Sequence, residues 1–158
     1  MNIQTEFISY SVDSMDFKGY LAWDDSLSQE RPGVLIFPEW WGLNSYIKKR
    51  TEQIAELGYL ALGVDMYGEG KIVETPEEAG SLMNALLEDK EATKARLKVS
   101  FNVLKEHTFS DSNRLGAIGY CFGGALVLNM ARMGMGVRAV VSFHGALYSF
   151  LNPLDEDV

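Results

Sequence analysis

The run Gly119-Tyr120-Cys121-Phe122-Gly123-Gly124 constrains this chain more than any other stretch of it. It lies between Arg114 to Ile118, which reads as a strand, and Gly124 to Met133, which reads as a helix. A chain passing from strand to helix over so few residues must turn sharply, which strains the residue at the tip and exposes its side chain. Side chains at the flanking positions would collide with the neighbouring strand and helix, and Gly119, Gly123 and Gly124 leave that room. Cys121 then sits at a helix N-terminus, where the dipole and unbonded amides favour negative charge on sulfur. The Phe122 N–H would face a developing oxyanion, and a second donor is expected from the loop after an earlier strand, at Trp40. A single cysteine without context is most often a small buried hydrophobe. Its setting between a buried strand and an apolar helix favours the nucleophile instead.

The rest of the chain supplies the sheet that such a turn requires. Phe7 to Val12 and Phe17 to Trp23 read as strands parted by Asp13-Ser14, an antiparallel pair expected at a sheet edge. Val34-Leu35-Ile36-Phe37, opened by Pro32-Gly33, is apolar throughout, as a strand buried on both faces is. After the loop Pro38-Glu39-Trp40-Trp41-Gly42 a helix is expected, capped by Asn44 or Ser45 and stopped by Gly58. Its inward residues are Ile47, Ile54 and Leu57, with Lys48, Lys49 and Arg50 left for solvent. Tyr59 to Val64 forms the next buried strand, ending at Asp65-Met66-Tyr67-Gly68, and residues 68–74 read as a loop.

Thr75-Pro76-Glu77-Glu78 carries the N-cap, first-turn proline and glutamate of a capping box, which predicts a helix to about Leu87. A second helix over Glu91 to His107 presents Leu97, Phe101 and Leu104 inward, and Val137 to Phe143 is a further strand. Strands alternating with helices give an α/β fold, a mostly parallel sheet with helices on both faces. Working residues gather at the carboxyl ends of such strands. The loops there are 38–44, 65–72 and 119–124, and a fourth begins at His144.

Composition narrows the function classes. The 158 residues fit a single domain able to bury a core without disulfide staples. A net charge of −8 disfavours nucleic acid and anionic membranes as partners. One cysteine rules out an intrachain disulfide and a multi-cysteine zinc site, and no metal is expected. The start of the chain lacks a secretion signal, and no apolar run approaches the ~20 residues of a membrane helix, so the cytoplasm is the expected location. Neither GxGxxG nor GxxxxGKS/T is present and no basic residue lies near the elbow, which disfavours a nucleotide or flavin binder. No cofactor is expected.

At these residues the sequence resembles the dienelactone hydrolase family of the α/β-hydrolase fold. The likeness runs through Phe37-Pro38-Glu39-Trp40-Trp41-Gly42-Leu43-Asn44, Gly58-Tyr59-Leu60-Ala61 and Asp65-Met66-Tyr67-Gly68. It continues in Gly119-Tyr120-Cys121-Phe122-Gly123-Gly124 and Ser142-Phe143-His144-Gly145. The resemblance implies a Cys-His-Asp triad hydrolysing a small ester or lactone through an acyl-thiol intermediate, with Cys121 as nucleophile. It also implies that Glu39 holds the resting thiol and exchanges partners when substrate arrives, a role a carboxylate can fill by accepting an S–H bond or its proton. Trp40, Trp41 and Tyr67 either wall an acyl pocket or are packed core aromatics.

Two departures accompany the likeness. The family's dienelactone enzymes place an arginine just after the Asp-x-Tyr segment to hold a substrate carboxylate. Here that place holds Glu69, with Lys71 the nearest cation, which argues against dienelactone itself. The family's triad Asp and His lie on loops beyond the strand that ends at Phe143, and no residue of this sequence matches either. Of the two histidines, His107 suits a helix C-terminus structurally, and His144 follows a strand beside the elbow strand.

The expectation is therefore one α/β-hydrolase-like domain over 1–158, incomplete at its C-terminus and lacking the last strands. It would be weakly active or inactive as it stands. An unfinished sheet edge would invite pairing with another copy, and the rival reading is a non-catalytic half-domain that binds a partner there. The acidic tail Asp155-Glu156-Asp157-Val158 is expected to fray.

Overall fold

A computed structural model describes residues 1–151, so the acidic tail lies outside the described residues. β1 (Ile3–Val12) and β2 (Met15–Asp24) form an antiparallel hairpin whose two-residue turn puts Asp13 at φ 54°, a conformation aspartate tolerates. β3 (Arg31–Phe37), α1 (Ser45–Glu56) and β4 (Leu60–Gly63) follow, then α2 (Pro76–Glu88) and α3 (Lys90–Lys105). β5 (Ser110–Tyr120), α4 (Phe122–Arg132) and β6 (Ala139–Phe143) complete the described elements. The sheet order is β1-β2-β4-β3-β5-β6, with β2 antiparallel to both its neighbours and β4-β3-β5-β6 parallel.

The unbroken apolar run of β3 has its reason in the layers on either side. Val34 and Ile36 pack with Ile47 and Ala55 of α1, while Leu35 and Phe37 belong to the core that holds Leu97, Leu104 and Leu126. A strand covered on both faces has no position left for a polar side chain. The α3 stripe of Leu97, Phe101 and Leu104 is buried as its spacing predicts.

The inward face of α1 differs from the expected one. Asn44 caps the helix, its Oδ1 accepting from the Ile47 amide at 3.1 Å, and the buried residues are Ile47, Thr51 and Ala55. Leu57 is 72% exposed, because it is the C-cap residue and the chain turns away at Gly58, where φ is 92°. Lys48 and Arg50 do not simply extend into solvent. Lys48 lies over the Phe7 and Tyr20 rings and Arg50 over Tyr46, their stems covering apolar surface. At α2 the Thr75 hydroxyl accepts from the Glu78 amide at 3.3 Å and donates to the Glu78 carboxylate at 3.4 Å, half of the expected capping box with its second arm rerouted.

Coverage of the sheet is uneven. α1 packs over β2, β4 and β3 on one face, and α3 and α4 cover the other. Where β5 and β6 emerge from beneath α1, an apolar trough of about 430 Å³ runs between Val34, Ile54, Ile118 and Val141. Among the described residues β6 is the last strand of the sheet, and on it Val141 and Phe143 are 45% and 44% exposed.

Candidate active site

Strand register sets the site before any side chain does. Phe37 of β3 pairs with Gly119 of β5, so Glu39 and Cys121 each stand two residues beyond that pair, at the carboxyl ends of adjacent strands. Ile36 pairs with Gly63, which brings the 65–70 segment to the other side of the β3 loop, and Tyr120 pairs with Phe143 beside His144.

One residue, Cys121, separates β5 from α4. It has φ 53° and ψ −113°, a conformation that costs a non-glycine residue about 1–3 kcal/mol. Its surroundings enforce the turn. A Cβ on Gly119 would strike the Gly123 carbonyl, and one on Gly123 would strike the Phe37 and Pro38 carbonyls. A Cβ on Gly124 would lie 2.7 Å from Ser142 Oγ and 2.9 Å from Gly145 Cα. The Cys121 amide donates to the Phe143 carbonyl at 2.9 Å, and the Gly123 amide donates to the Pro38 carbonyl at 3.0 Å. Cys121 is half-buried rather than sealed in the core, and its side chain makes no capping bond to the helix it begins.

The loop after β3 has a one-sided hydrogen-bond account. The Pro38 carbonyl accepts from Gly123 N, that of Glu39 from Gly42 N at 3.4 Å, and that of Trp40 from the Tyr67 hydroxyl at 2.8 Å. The Trp41 carbonyl accepts from Val73 N at 3.1 Å and the Gly42 carbonyl from Asn44 N at 2.8 Å. Five successive carbonyls are satisfied. The amides of Glu39, Trp40 and Trp41 donate to nothing among the described residues. Phe122 N–H, first in α4, has no preceding turn to bond to. A stretch of backbone with its acceptors bonded and its donors left over is suited to receive negative charge.

Tyr67 stands between these parts. Its ring is buried, and burial pushes its phenol well above the ordinary range, with negative charge on Cys121 acting in the same direction. The phenol therefore keeps its proton, and that proton is committed to the Trp40 carbonyl. Asp65 places Tyr67 through four amide bonds. Oδ1 accepts from Tyr67 and Gly68 at 3.0 and 2.9 Å, and Oδ2 accepts from Lys18 and Gly70 at 3.1 and 2.8 Å.

Glu39, Trp40 and Trp41 are half-buried on their loop, the two indoles edge to face at 5.1 Å between centroids. Lys71 and Glu69 are exposed, Glu69 at φ 55°. His144, exposed and at φ 46°, lines a cavity with Tyr46, Arg50, Tyr120 and Phe143 on the α1 side, and Cys121 is not among that cavity's walls. His107 lies at the far end of the sheet, near the start of β5, where its Nδ1 accepts from the Phe109 amide at 3.2 Å. Register thus brings Cys121, Glu39, Trp40, Phe122 and Tyr67 to one end of the sheet and leaves His107 apart, and no hydrogen bond joins the Cys121 thiol to the Glu39 carboxylate expected to hold it. Among the described residues no three metal-ligating side chains gather, and no helix is long and apolar enough to cross a membrane. The tie between Tyr67 and Trp40 escapes sequence reasoning, which reads the Asp-Met-Tyr-Gly segment as a strand end and a family motif and leaves Tyr67 open between pocket wall and core aromatic.

Comparison with known proteins agrees with this arrangement. The sequence signature of the Dienelactone hydrolase family matches residues 17–157. A protein of Aquifex pyrophilus called usf is 32% identical over 130 residues, covering 80% of this chain and 54% of its own. Among solved structures, one named m3DLH superposes with a TM-score of 0.92 at 35% identity, covering 99% of this chain and 64% of that one. A dienelactone hydrolase-like promiscuous phosphotriesterase from metagenomic libraries superposes with a TM-score of 0.91 at 31% identity and the same coverage. The chain spans about half the length of the curated relatives it matches.

Proposed function

The chain belongs to the dienelactone hydrolase family, and on that footing we propose that it carries the nucleophile half of a cysteine hydrolase of carboxylic esters or lactones. The observation that carries the reading is Cys121 at φ 53° on a glycine-lined turn, beside a loop whose carbonyls are bonded and whose amides are not.

In the first step the thiol gives its proton to Glu39 and the sulfur attacks the carbonyl carbon. An S–C bond forms, and the carbonyl oxygen takes the electron pair and negative charge, held by the Trp40 and Phe122 amides. The C–O bond to the leaving group then breaks, and the departing alkoxide takes the proton from Glu39. Water next adds to the thioester on Cys121, the S–C bond breaks, the acid leaves and the thiol recovers a proton. That second half needs a base to activate water, and the family's Asp-His pair has no counterpart in this sequence. The chain alone therefore acylates slowly and turns over poorly. Tyr67 lies in the core with Trp40 packed against it, so the half-buried Trp40–Trp41 pair is the apolar surface offered to the acyl side; exposed Glu69 disfavours a substrate carboxylate nearby, with Lys71 offering only a solvated counter-charge. A reducing cytoplasm suits a nucleophilic cysteine that is not sealed in the core.

With p-nitrophenyl acetate in a stopped-flow instrument, the protein gives a slow burst no larger than its own concentration, and intact-mass analysis finds one acetyl group on Cys121. Brisk turnover that survives Cys121→Ala would eliminate the mechanism.

One observation favours a second reading. The β6 edge, unpaired among the described residues, and the adjoining apolar trough offer a pairing surface, so the chain would act as a non-catalytic half-domain joined to another copy of itself. Native mass spectrometry separates the two readings, since a stable monomer at micromolar concentration excludes that one.

A further inference from the structure

The bond from Tyr67 to the Trp40 carbonyl links two strand-end loops at residues 27 apart in sequence. From it we infer that Tyr67 is a positioning residue for the oxyanion donors, an inference that rests on the hydrolytic reading above.

The argument is one of peptide planes. The Trp40 carbonyl and the Trp41 amide share a rigid, trans peptide unit, so a donor that holds the carbonyl aims the amide the opposite way. The unit before it, carrying the Glu39 carbonyl and the Trp40 amide, is held only by the long 3.4 Å bond from Gly42. The Tyr67 bond, at 2.8 Å, is the shorter restraint on the two units that meet at the Trp40 Cα. Pro38 on one side is fixed by Gly123, and Trp41 on the other by Val73. Without the phenol, the Trp40 carbonyl would lose its partner beside a buried ring, and rotating the peptide toward water would relieve it. That rotation carries the Trp41 amide out of line directly, and it frees the Trp40 Cα to which the weakly held Trp40 amide is joined.

Tyr67 does this without taking part in proton transfer. Burial keeps its phenol protonated, and charge on Cys121 tightens its hold on that proton as the thiolate forms. Asp65, through its bonds to the Tyr67 and Gly68 amides, fixes where the ring begins.

The test compares wild type with Tyr67→Phe, which keeps the ring and removes the hydroxyl, using two reagents for Cys121. Acylation by p-nitrophenyl acetate forms an S–C bond, expels p-nitrophenolate and passes through an oxyanion. Alkylation by iodoacetamide forms an S–C bond, expels iodide and places no charge on a carbonyl oxygen in need of donors. In alkylation the thiol proton is released to buffer; in acylation it passes to Glu39 and from there to buffer, because p-nitrophenolate leaves as the anion. Tyr67→Phe is expected to slow acylation about tenfold while changing alkylation less than about twofold, with the pH profile of acylation keeping its shape.

Equal acylation rates would overturn the assignment, and so would equal slowing of both reactions, which would place the effect on the sulfur. If wild-type Cys121 is alkylated but never acylated, the hydrolytic reading itself fails and the assignment falls with it, a result distinct from the other two. A melting temperature lowered enough to unfold the variant would show as faster alkylation, and Tyr67→His, which restores a donor on a smaller ring, should then recover part of the acylation rate if positioning is the cause.

Discussion

Replacing Cys121 by glycine and by alanine separates the strain at the elbow from the chemistry it serves. Both variants remove the sulfur, and they differ only by a methyl group and by the backbone freedom that the methyl restricts. At an unstrained site glycine is the less stable of the two by about 0.5–1 kcal/mol, because it has more conformational freedom to lose on folding. At φ 53° and ψ −113° alanine retains a penalty of about 1–3 kcal/mol that glycine escapes. Subtracting the first range from the second leaves Cys121→Gly more stable than Cys121→Ala by about 1 kcal/mol, between about zero and about 2.5 kcal/mol. For a chain of this length that is a difference in melting temperature of about 2–4 °C per kcal/mol. Urea unfolding read by tryptophan fluorescence measures it, provided the two variants share one m-value so that the midpoints compare directly. The sign decides the matter. If alanine proves the more stable by half a kilocalorie or more, the turn is relaxed, and the fold does not force the thiol outward.

Two further perturbations test the parts around the elbow. Asp65→Asn replaces a carboxylate that accepts from four amides with a group bearing one acceptor oxygen, so two amides are left facing an NH2; a loss of about 3–5 kcal/mol in urea unfolding is expected, and a loss below about 1 kcal/mol would show that the 65–70 loop does not depend on this hub. Burial holds the His107 imidazole below its ordinary range against the opposing pull of Glu6, so the folded chain binds fewer protons there than the unfolded chain. Its contribution is complete above about pH 6.5 and fades as pH falls through the lowered folded value, and a stability profile for His107→Gln with the same slope as wild type between pH 7 and 5 would count against it.

How much of this could be read in the sequence depends on whether a feature is local. The elbow is legible because its signature lies within six residues: Gly119 must pass the Gly123 carbonyl, Gly123 and Gly124 meet the neighbouring strand ends, and the residue left between them is Cys121. The continuous apolar run of β3 is legible for a like reason, since each face of one strand meets a different layer. Leu57 misleads because helical spacing extends past the point where the chain stops being helix, and Gly58 at φ 92° carries it away from the core. The role of Tyr67 has no local sign at all. A tyrosine after a strand looks the same whether it walls a pocket or holds a carbonyl, and its partner is chosen by the pairing of β4 with β3.

The same holds for the loop from Pro38 to Gly42, where the donors that satisfy its carbonyls come from Gly123, Tyr67 and Val73 as well as from nearby residues. Its amides are left over only because three other segments occupy its acceptors. The oxyanion role proposed for this loop thus rests on the assembled sheet end. Substitutions on the α4, 65–70 or 71–74 segments should reach the chemistry through that loop even where they touch neither Cys121 nor substrate.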